Sequence, residues 1–280
     1  MAILAHEAEE EELPAWSLPA GADQAISLPS AWPERLTREW AWGGSTGAGV
    51  RVCVLDSGVE LGHPLVGPVQ RSVAVRKQGD DVTIVDDEEG DLCGHGTACA
   101  GIIRSLAPKC ELTSVRVLGA GYTGSAAVLL AGLEWAIAEG FDIVNMSLST
   151  TKKQYVDRLH ELADAAYFNR TMLIASAHNM PVESFPWRFA SVVSVGSHES
   201  EDPYVIYANP RPPVEFFARG LNVEIAWLGG ETITATGNSF ATPHVAGLCA
   251  LIIGKHPGLT PFQVKSVLHL TATNVGRPNE

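Results

Sequence analysis

An aspartate, a histidine and a serine stand apart in this sequence because each lies in a frame of apolar or small residues. Asp56 ends an apolar run, His95 lies between two glycines, and Ser239 follows a glycine and an asparagine. The three frames are VCVLDSG at 52–58, GHGTACAG at 94–101 and GNSFATPHVAG at 237–247. Side chains of these three types can together carry out nucleophilic acyl transfer.

The chemistry of such a set follows from the weakness of a neutral hydroxyl as a nucleophile. Serine attacks a carbonyl only when a base takes its proton and donors stabilise the oxyanion that forms. An imidazole can accept that proton and return it to the leaving amine, and a carboxylate can hold the imidazole in the right tautomer. The alternatives are a turn aspartate at Asp56 and a helix-capping frame around His95.

The order Asp, His, Ser in these frames resembles the subtilisin-like serine proteases (peptidase family S8), from about residue 32 to the C-terminus. The resemblance implies a serine endopeptidase in which Asp56 orients His95 and Ser239 forms an acyl-enzyme that water resolves. It implies peptide or protein substrates and no cofactor. Family members usually have threonine before the serine, where this chain has Asn238. Asparagine also has a hydrogen-bonding side chain, so we expect the local contacts to differ and the activity to be kept.

The family's second oxyanion donor is an asparagine after an alanine-rich strand, and its counterpart here is Asn179 in the segment 174–179, IASAHN. The residue before that asparagine is usually glycine, whereas this chain has His178. If that position needs a positive φ, histidine adopts it at a cost and the donor is displaced. Loss of such a donor lowers the rate by about 10²–10³-fold.

The resemblance also implies a groove in which an extended peptide pairs with a strand-like edge. Ser147, Leu148 and Ser149 match that edge, and the side chains at 149 and 150 are expected to narrow the P1 pocket, since the family often has two glycines there. Apolar neighbours such as Leu148 favour an uncharged P1 residue. Ala126 lies where a larger aromatic residue is common, which predicts an open P4 site.

Three further residues are predicted to border the groove. Cys93 is expected beside the P2 site, and a buried structural thiol is the alternative. Phe185 and Trp187 match the far wall of the P1 pocket, where the family tends to have a cis proline, so Phe185–Pro186 is a candidate cis bond. Trp187 is either a core residue or a lid over the pocket.

Strands and helices alternate along the chain, as in a parallel sheet covered on both faces. We therefore predict a three-layer α/β/α fold with a mainly parallel central sheet, in which Asp56 lies at the carboxyl end of a buried strand. Residues 31–280 are predicted to form a single catalytic domain. The predicted strands are 50–55, 111–117, 142–148, 171–175 and 192–195, and the predicted helices are 30–42, 95–106, 125–139, 152–170, 239–256 and 261–270.

Composition restricts the classes of partner. The 280 residues carry 19 Lys and Arg against 32 Asp and Glu, a net charge of −13, which argues against nucleic acid and anionic membranes as partners. The N-terminus lacks the basic segment of a signal peptide, and no apolar run approaches the ~20 residues that span a bilayer. The five cysteines favour free buried thiols over a disulfide framework. We therefore expect a cytoplasmic, reduced protein.

Residues 1–30 are acidic and then rich in proline, which indicates an extended arm rather than a folded prodomain. The Leu-Pro repeats around Trp16 motivate the hypothesis that the arm crosses the groove as an inhibitor, as the short extension of intracellular subtilisins does. Unchanged activity after deletion of residues 1–25 would contradict it. The segment 102–108 leaves no room for the calcium loop common in secreted relatives, so no metal site is expected.

The frames around His95 and Ser239 are similar to those of proteases that mature ribosomally made peptides, the cyanobactin type, so a precursor peptide is the expected substrate. One alternative is a macrocyclase, which passes the acyl group to the substrate's own amine. Cyclising relatives carry a helical insertion between the Asp and His motifs, whereas only 38 residues separate Asp56 from His95 here. The others are an intracellular protein-degrading subtilisin and a catalytically inactive binding protein.

Overall fold

A nine-stranded sheet lies at the centre of the computed structural model, which describes residues 32–275. The strands are β1 (Arg51–Asp56), β2 (Arg71–Gln78), β3 (Asp81–Asp86), β4 (Glu111–Arg116), β5 (Ile143–Met146), β6 (Met172–Ser176), β7 (Val193–His198), β8 (Tyr207–Ala208), β9 (Phe216–Arg219), β10 (Val223–Trp227) and β11 (Glu231–Ala235). The helices are α1 (Arg38–Trp42), α2 (His95–Leu106), α3 (Ala126–Ala138), α4 (Val156–Phe168), α5 (Asn238–Lys255) and α6 (Pro261–Thr271).

The chain divides into two units, Met1–Arg35 and Leu36–Glu280. All of these helices and strands belong to the second unit. The predicted arm at 1–30, with Trp16, lies outside the described residues.

The interior of the sheet is parallel. Its strand order is β3-β2-β4-β1-β5-β6-β7-β9-β8, and each pair from β2 to β9 in that order runs in the same direction. Only the edge strands β3 and β8 are antiparallel to their neighbours. Strands β10 and β11 form a separate hairpin. The predicted mainly parallel sheet is confirmed.

Helices cover both faces of this sheet. Alternate residues of a strand point to opposite faces, so Leu55, Met146 and Leu173 pack on the side of α3 and α4. Helices α2 and α5 contact each other on the other side, where α2 packs on β1 and α5 packs on β5, β6 and β7. This arrangement is the predicted three-layer α/β/α fold. Within residues 32–275, no helix combines the length and the apolar character needed to cross a bilayer.

Predicted and observed elements differ where one face of an element is exposed. The predicted helix His95–Leu106 is confirmed at both ends, whereas the one predicted from 152 begins at Val156 after a turn of 3₁₀ helix, Lys153–Tyr155. The strands β2, β3 and β8 to β11 were not predicted. Strand β11 is exposed along most of its length, and β3 is an edge strand without a continuous apolar run, so neither carries the pattern of a buried strand.

Candidate active site

Asp56 is fully buried at the carboxyl end of β1. Its Oδ1 accepts hydrogen bonds from the backbone N–H of Ser57 and from Nδ1 of His95, both at 2.8 Å. The Sγ atom of Cys99 lies 3.9 Å from Oδ2. A buried carboxylate needs donors around it. These contacts therefore fix the position of the carboxylate and direct it toward the imidazole.

His95 is the first residue of α2 and follows Gly94, whose φ of 86° lies in the left-handed region that glycine adopts freely. Because the ionised Asp56 carboxylate can only accept, Nδ1 carries the proton and Nε2 is left as an acceptor. Burial of the imidazole opposes its charged form, but the charge and hydrogen bond of the Asp56 carboxylate, with the charge of Asp91, together outweigh burial, so the pKa of His95 is raised above its ordinary value. An imidazole in this tautomer can serve as a base for a hydroxyl.

Asp91 holds the start of α2, whose own N-cap residue supplies no side-chain hydrogen bond. Its Oδ1 accepts from Ser57 Oγ at 2.8 Å and from the backbone N–H groups of Cys93 and Gly94 at 3.0 and 2.9 Å. Its Oδ2 accepts from the N–H and the hydroxyl of Thr97 at 2.8 and 2.6 Å. Asp91 was not among the predicted site residues. Its signal is an aspartate just ahead of a glycine-flanked histidine and a threonine.

We expect Asp91→Asn to destabilise the protein by about 1–3 kcal/mol, because the amide would turn an N–H₂ group toward donors that need an acceptor. Urea unfolding of this variant beside Asp80→Asn measures the effect, since Asp80 is an exposed aspartate in the β2–β3 turn. Equal unfolding midpoints for the two variants would show that Asp91 does not hold the helix.

Ser239 lies in the first turn of α5. In a regular helix its carbonyl oxygen would accept from the N–H of residue 243, but that residue is Pro243, which has none. The hydroxyl of Ser147 donates to this carbonyl oxygen at 2.8 Å and accepts from Nδ2 of Asn145 at 3.1 Å. Ser147, predicted as a groove residue, therefore also ties the turn that carries Ser239 to the end of β5.

Asn179 lies three residues beyond β6 and lines the same cavity as His95 and Ser239. Its Oδ1 accepts from the backbone N–H of Asn238 at 3.0 Å, which leaves Nδ2 as the donor end of the amide. His178 is not among the described residues with positive φ. The strain considered for a histidine at this position therefore does not arise, because its backbone stays in a region open to any residue.

A cavity of about 620 Å³ lies beside these residues. One wall is the segment 147–150 after β5, and the other is the segment 122–126 at the start of α3. The predicted groove residues that line it are Ala126, Ser147, Leu148 and Ser149. A larger cavity, of about 760 Å³, is lined by residues of α4, α6 and the β8–β9 region and by none of the predicted site residues. The candidate catalytic residues that line a cavity therefore lie at the smaller one.

The other three predicted groove residues, Cys93, Phe185 and Trp187, do not line this cavity. Trp187 is buried and its Nε1 donates to Ser184 Oγ at 2.8 Å, so the indole is satisfied within the core, the first of the two alternatives, and it also borders a separate cavity of about 480 Å³. Phe185 pairs its backbone with that of Thr150, so it supports the groove edge without lining it. The bond Phe185–Pro186 is cis, as predicted.

Tyr122 takes the place beside His95 that was expected for Cys93. The carbonyl oxygen of Cys93 accepts from the Tyr122 hydroxyl at 3.2 Å. The Tyr122 ring lines the cavity edge-on to the imidazole, with 6.1 Å between ring centroids. Its φ of 56° is uncommon for a bulky residue, and such a conformation persists only where the surroundings hold it. No local pattern in the sequence would have distinguished this tyrosine.

Within residues 32–275, Asp56, His95 and Cys99 form the one cluster of metal-ligand type, with ligand atoms within 4.8 Å of one another. The hydrogen bond between Asp56 and His95 accounts for this proximity. The Cys99 thiol is buried, and burial raises its pKa well above the ordinary value, so it stays protonated. All five cysteines of the chain are described, and each is unpaired.

A family profile, curated relatives and a solved structure all show similarity to the same family of proteins. The profile of the subtilase family, peptidase family S8, matches residues 47–280. The chain is 32% identical to Subtilisin Savinase of Lederbergia lenta over 247 residues, which covers 84% of the chain and 88% of that protein.

It is equally identical to M-protease of Shouchella clausii (strain KSM-K16), of which the match spans 62%, and to Subtilisin E of Bacillus subtilis (strain 168), of which it spans 63%. The chain therefore spans less than two thirds of these two relatives. A solved structure of a cold adapted subtilisin-like serine proteinase is similar, with a TM-score of 0.67 and 29% identity over 82% of this chain and 86% of that one.

Proposed function

The chain belongs to the subtilase family of serine-type endopeptidases, and we propose that it cleaves peptide bonds through an acyl-enzyme on Ser239. The observation that carries this proposal is the 2.8 Å hydrogen bond from His95 Nδ1 to the buried Asp56 carboxylate, at a cavity that Ser239 also lines. That bond gives the imidazole the tautomer of a base.

The proposed reaction begins when Ser239 Oγ attacks the substrate carbonyl and its proton passes to Nε2 of His95. The negative Asp56 carboxylate stabilises the imidazolium, in keeping with the raised pKa of His95. Asn179 Nδ2 and the Ser239 backbone N–H, at the positive end of α5, would bind the oxyanion. The imidazolium then gives its proton to the leaving amine, and water attacks the acyl-enzyme by the reverse sequence.

Fluorophosphonate labelling tests this proposal directly, because the probe reacts only with an activated serine. The wild type should be labelled, and Ser239→Ala and His95→Ala should not. Labelling that persists in Ser239→Ala would place the reactive serine elsewhere. An unlabelled but folded wild type would contradict the proposal.

The activity should rise with pH through the titration of His95. The base works in its neutral form, so kcat/KM falls as pH falls and the imidazole takes up a proton. Because Asp56 and Asp91 together outweigh burial, the midpoint should lie above 6.5, the ordinary pKa of histidine. The measurement is kcat/KM for one peptide substrate from about pH 5 to about pH 9 at constant ionic strength. A midpoint below 6.5 would show that His95 is not the titrating base.

The position of Tyr122 predicts which substrate residues fit beside His95. Because its ring fills the wall there, we expect Tyr122→Ala to raise the preference for leucine over glycine at P2 by about tenfold. Two peptide p-nitroanilides that differ only at P2 measure the ratio of kcat/KM values. Tyr204→Ala, an exposed tyrosine outside the cavity, is the control. An unchanged ratio in Tyr122→Ala would remove Tyr122 from the specificity site.

We further propose that the natural substrate is a ribosomally made precursor peptide, that the protein acts in the cytoplasm and that residues 31–280 form the catalytic domain. The similarity of the frames around His95 and Ser239 to peptide-maturation proteases supports the substrate. Between Asp56 and His95, a stretch that is wholly described, there are two strands and no helix, which favours hydrolysis over cyclisation. Mass spectrometry separates the outcomes, because a macrocycle is one water lighter than the linear product.

A further inference from the structure

The side-chain amide of Asn238 joins three parts of the fold. Its Nδ2 donates to the carbonyl oxygens of Ala177 and His178 at 3.2 and 3.4 Å. Its Oδ1 accepts from Ser197 Oγ at 2.8 Å. Carbonyl oxygens can only accept, so Nδ2 must face them and the orientation of the amide is settled. The segment after β6, strand β7 and the first turn of α5 therefore meet at one side chain.

The backbone of Asn238 adds a fourth hydrogen bond, from its N–H to Oδ1 of Asn179 at 3.0 Å. One residue thus holds both the backbone just before Asn179 and the side-chain amide of Asn179 itself. A Cβ placed on Gly237 would lie 3.1 Å from Ser239 Oγ and 3.5 Å from Asn179 Nδ2. The nucleophile and the donor nitrogen therefore lie close to the same glycine, and Asn238 fixes the donor relative to the nucleophile.

The surroundings leave this network little freedom to rearrange. A Cβ on Gly220 would overlap Ser197 Oγ and would lie 2.8 Å from the carbonyl oxygen of Gly237. The Gly237 N–H also donates to the Gly220 carbonyl oxygen at 2.8 Å. Gly220, which directly follows β9, therefore packs against Ser197 and the turn before Asn238. This packing keeps the Ser197 hydroxyl in its hydrogen bond to Oδ1 of Asn238.

We propose that Asn238 is a positioning residue that holds Asn179 Nδ2 where the oxyanion forms, an inference that rests on the proposed function of the site. Asn238 does not line the cavity that holds His95 and Ser239, and its side-chain amide is fully engaged by Ala177, His178 and Ser197, so it acts through Asn179. A donor aimed at a developing charge helps only if it is in place before the reaction, and a misplacement of about 1 Å costs about 10²-fold in rate. Substitution of Asn238 is therefore expected to lower kcat and to leave KM unchanged.

The test is Asn238→Asp, which keeps the shape of the side chain and an acceptor for Ser197. It sets a carboxylate oxygen against the carbonyl oxygens of Ala177 and His178 in place of a donor. On succinyl-Ala-Ala-Pro-Leu-p-nitroanilide we expect kcat to fall by about 10²-fold and KM to stay within about twofold. In an Asn179→Ala background the same substitution should lower kcat by less than about threefold, because the donor that it positions is gone.

Ser197→Ala is the matched control, because it removes the bond to Oδ1 and leaves both Nδ2 bonds; its loss of kcat should stay below about fivefold. Losses that multiply in the double variant would show that Asn238 acts independently of Asn179 and would overturn the inference. So would a raised KM at unchanged kcat.

If Asn238→Asp does not fold, Asn238→Ser enters the same cycle, with the same expected and contradicting outcomes. If the wild type turns over the substrate and Ser239→Ala does not, the proposed function stands whatever the Asn238 variants show, so this inference can fail without it. Without that turnover the proposed function fails, and the inference fails with it.

Discussion

Replacing Ser239 with alanine is expected to lower kcat on a peptide substrate by about 10⁶-fold, the size of the loss known for the catalytic serine of subtilisin itself. Alanine has no hydroxyl to attack the carbonyl, and His95 then has no proton to accept. Asn179 and the first turn of α5 remain, so a small rate above that of water should persist. Single-turnover and steady-state assays on one p-nitroanilide substrate measure this loss.

The control for this variant is Ser105→Ala. Ser105 is an exposed serine near the end of α2 whose hydroxyl donates only to the carbonyl oxygen of Ile102, at 2.7 Å. It should keep the wild-type kcat. If Ser239→Ala retained more than about one-hundredth of the wild-type kcat, Ser239 would not be the nucleophile, because such a residue contributes far more than that.

Asp56→Asn is expected to lower kcat by about 10⁴-fold. The amide keeps the size of the side chain but removes the negative charge that stabilises the imidazolium, and it permits the wrong tautomer of His95. The same loss of charge should move the pH midpoint of kcat/KM downward, since the carboxylate is the main group that raises the pKa of His95 against the effect of burial. Steady-state kinetics over a range of pH measure both effects.

The matched control is Asp142→Asn. Asp142 lies at the other end of β1, where its Oδ2 accepts from the backbone N–H of Arg51 at 2.8 Å, outside the cavity. We expect it to affect stability and to leave both kcat and the pH midpoint unchanged. An Asp56→Asn variant with the wild-type midpoint would show that this carboxylate does not act on His95.

Local patterns in the sequence were enough to predict the parallel sheet and the helices that cover it. Helix His95–Leu106 has the predicted bounds because Gly94 supplies the left-handed residue at its start and Pro108 follows its end. Strands β1 and β6 contain continuous apolar runs, and the four residues of β5 depart from one only at Asn145. The edge strands β3 and β11 lack this pattern, since much of their surface faces water.

The rest of the candidate site depends on contacts between distant parts of the chain. Asn238 bonds to Ser197 across 41 positions, and Asp91 accepts from the Ser57 hydroxyl across 34. The position of Tyr122 beside His95 follows from a loop conformation that propensity does not encode. These side chains needed the structure, whereas the resemblance alone pointed to Asp56, His95 and Ser239.

The tether between Ser147 and the Ser239 carbonyl spans 92 positions of the chain, and the contact of Cys99 with the same carbonyl spans 140. Contacts of such long range form slowly, because a large loop must close before they can stabilise anything. During synthesis, β1 and α2 emerge long before α5, so Asp56 and His95 have no nucleophile to act on until the later segment docks. Under the proposed mechanism, proteolytic competence is therefore a late event of folding, and a chain that still lacks α5 has no Ser239 with which to attack itself or its neighbours.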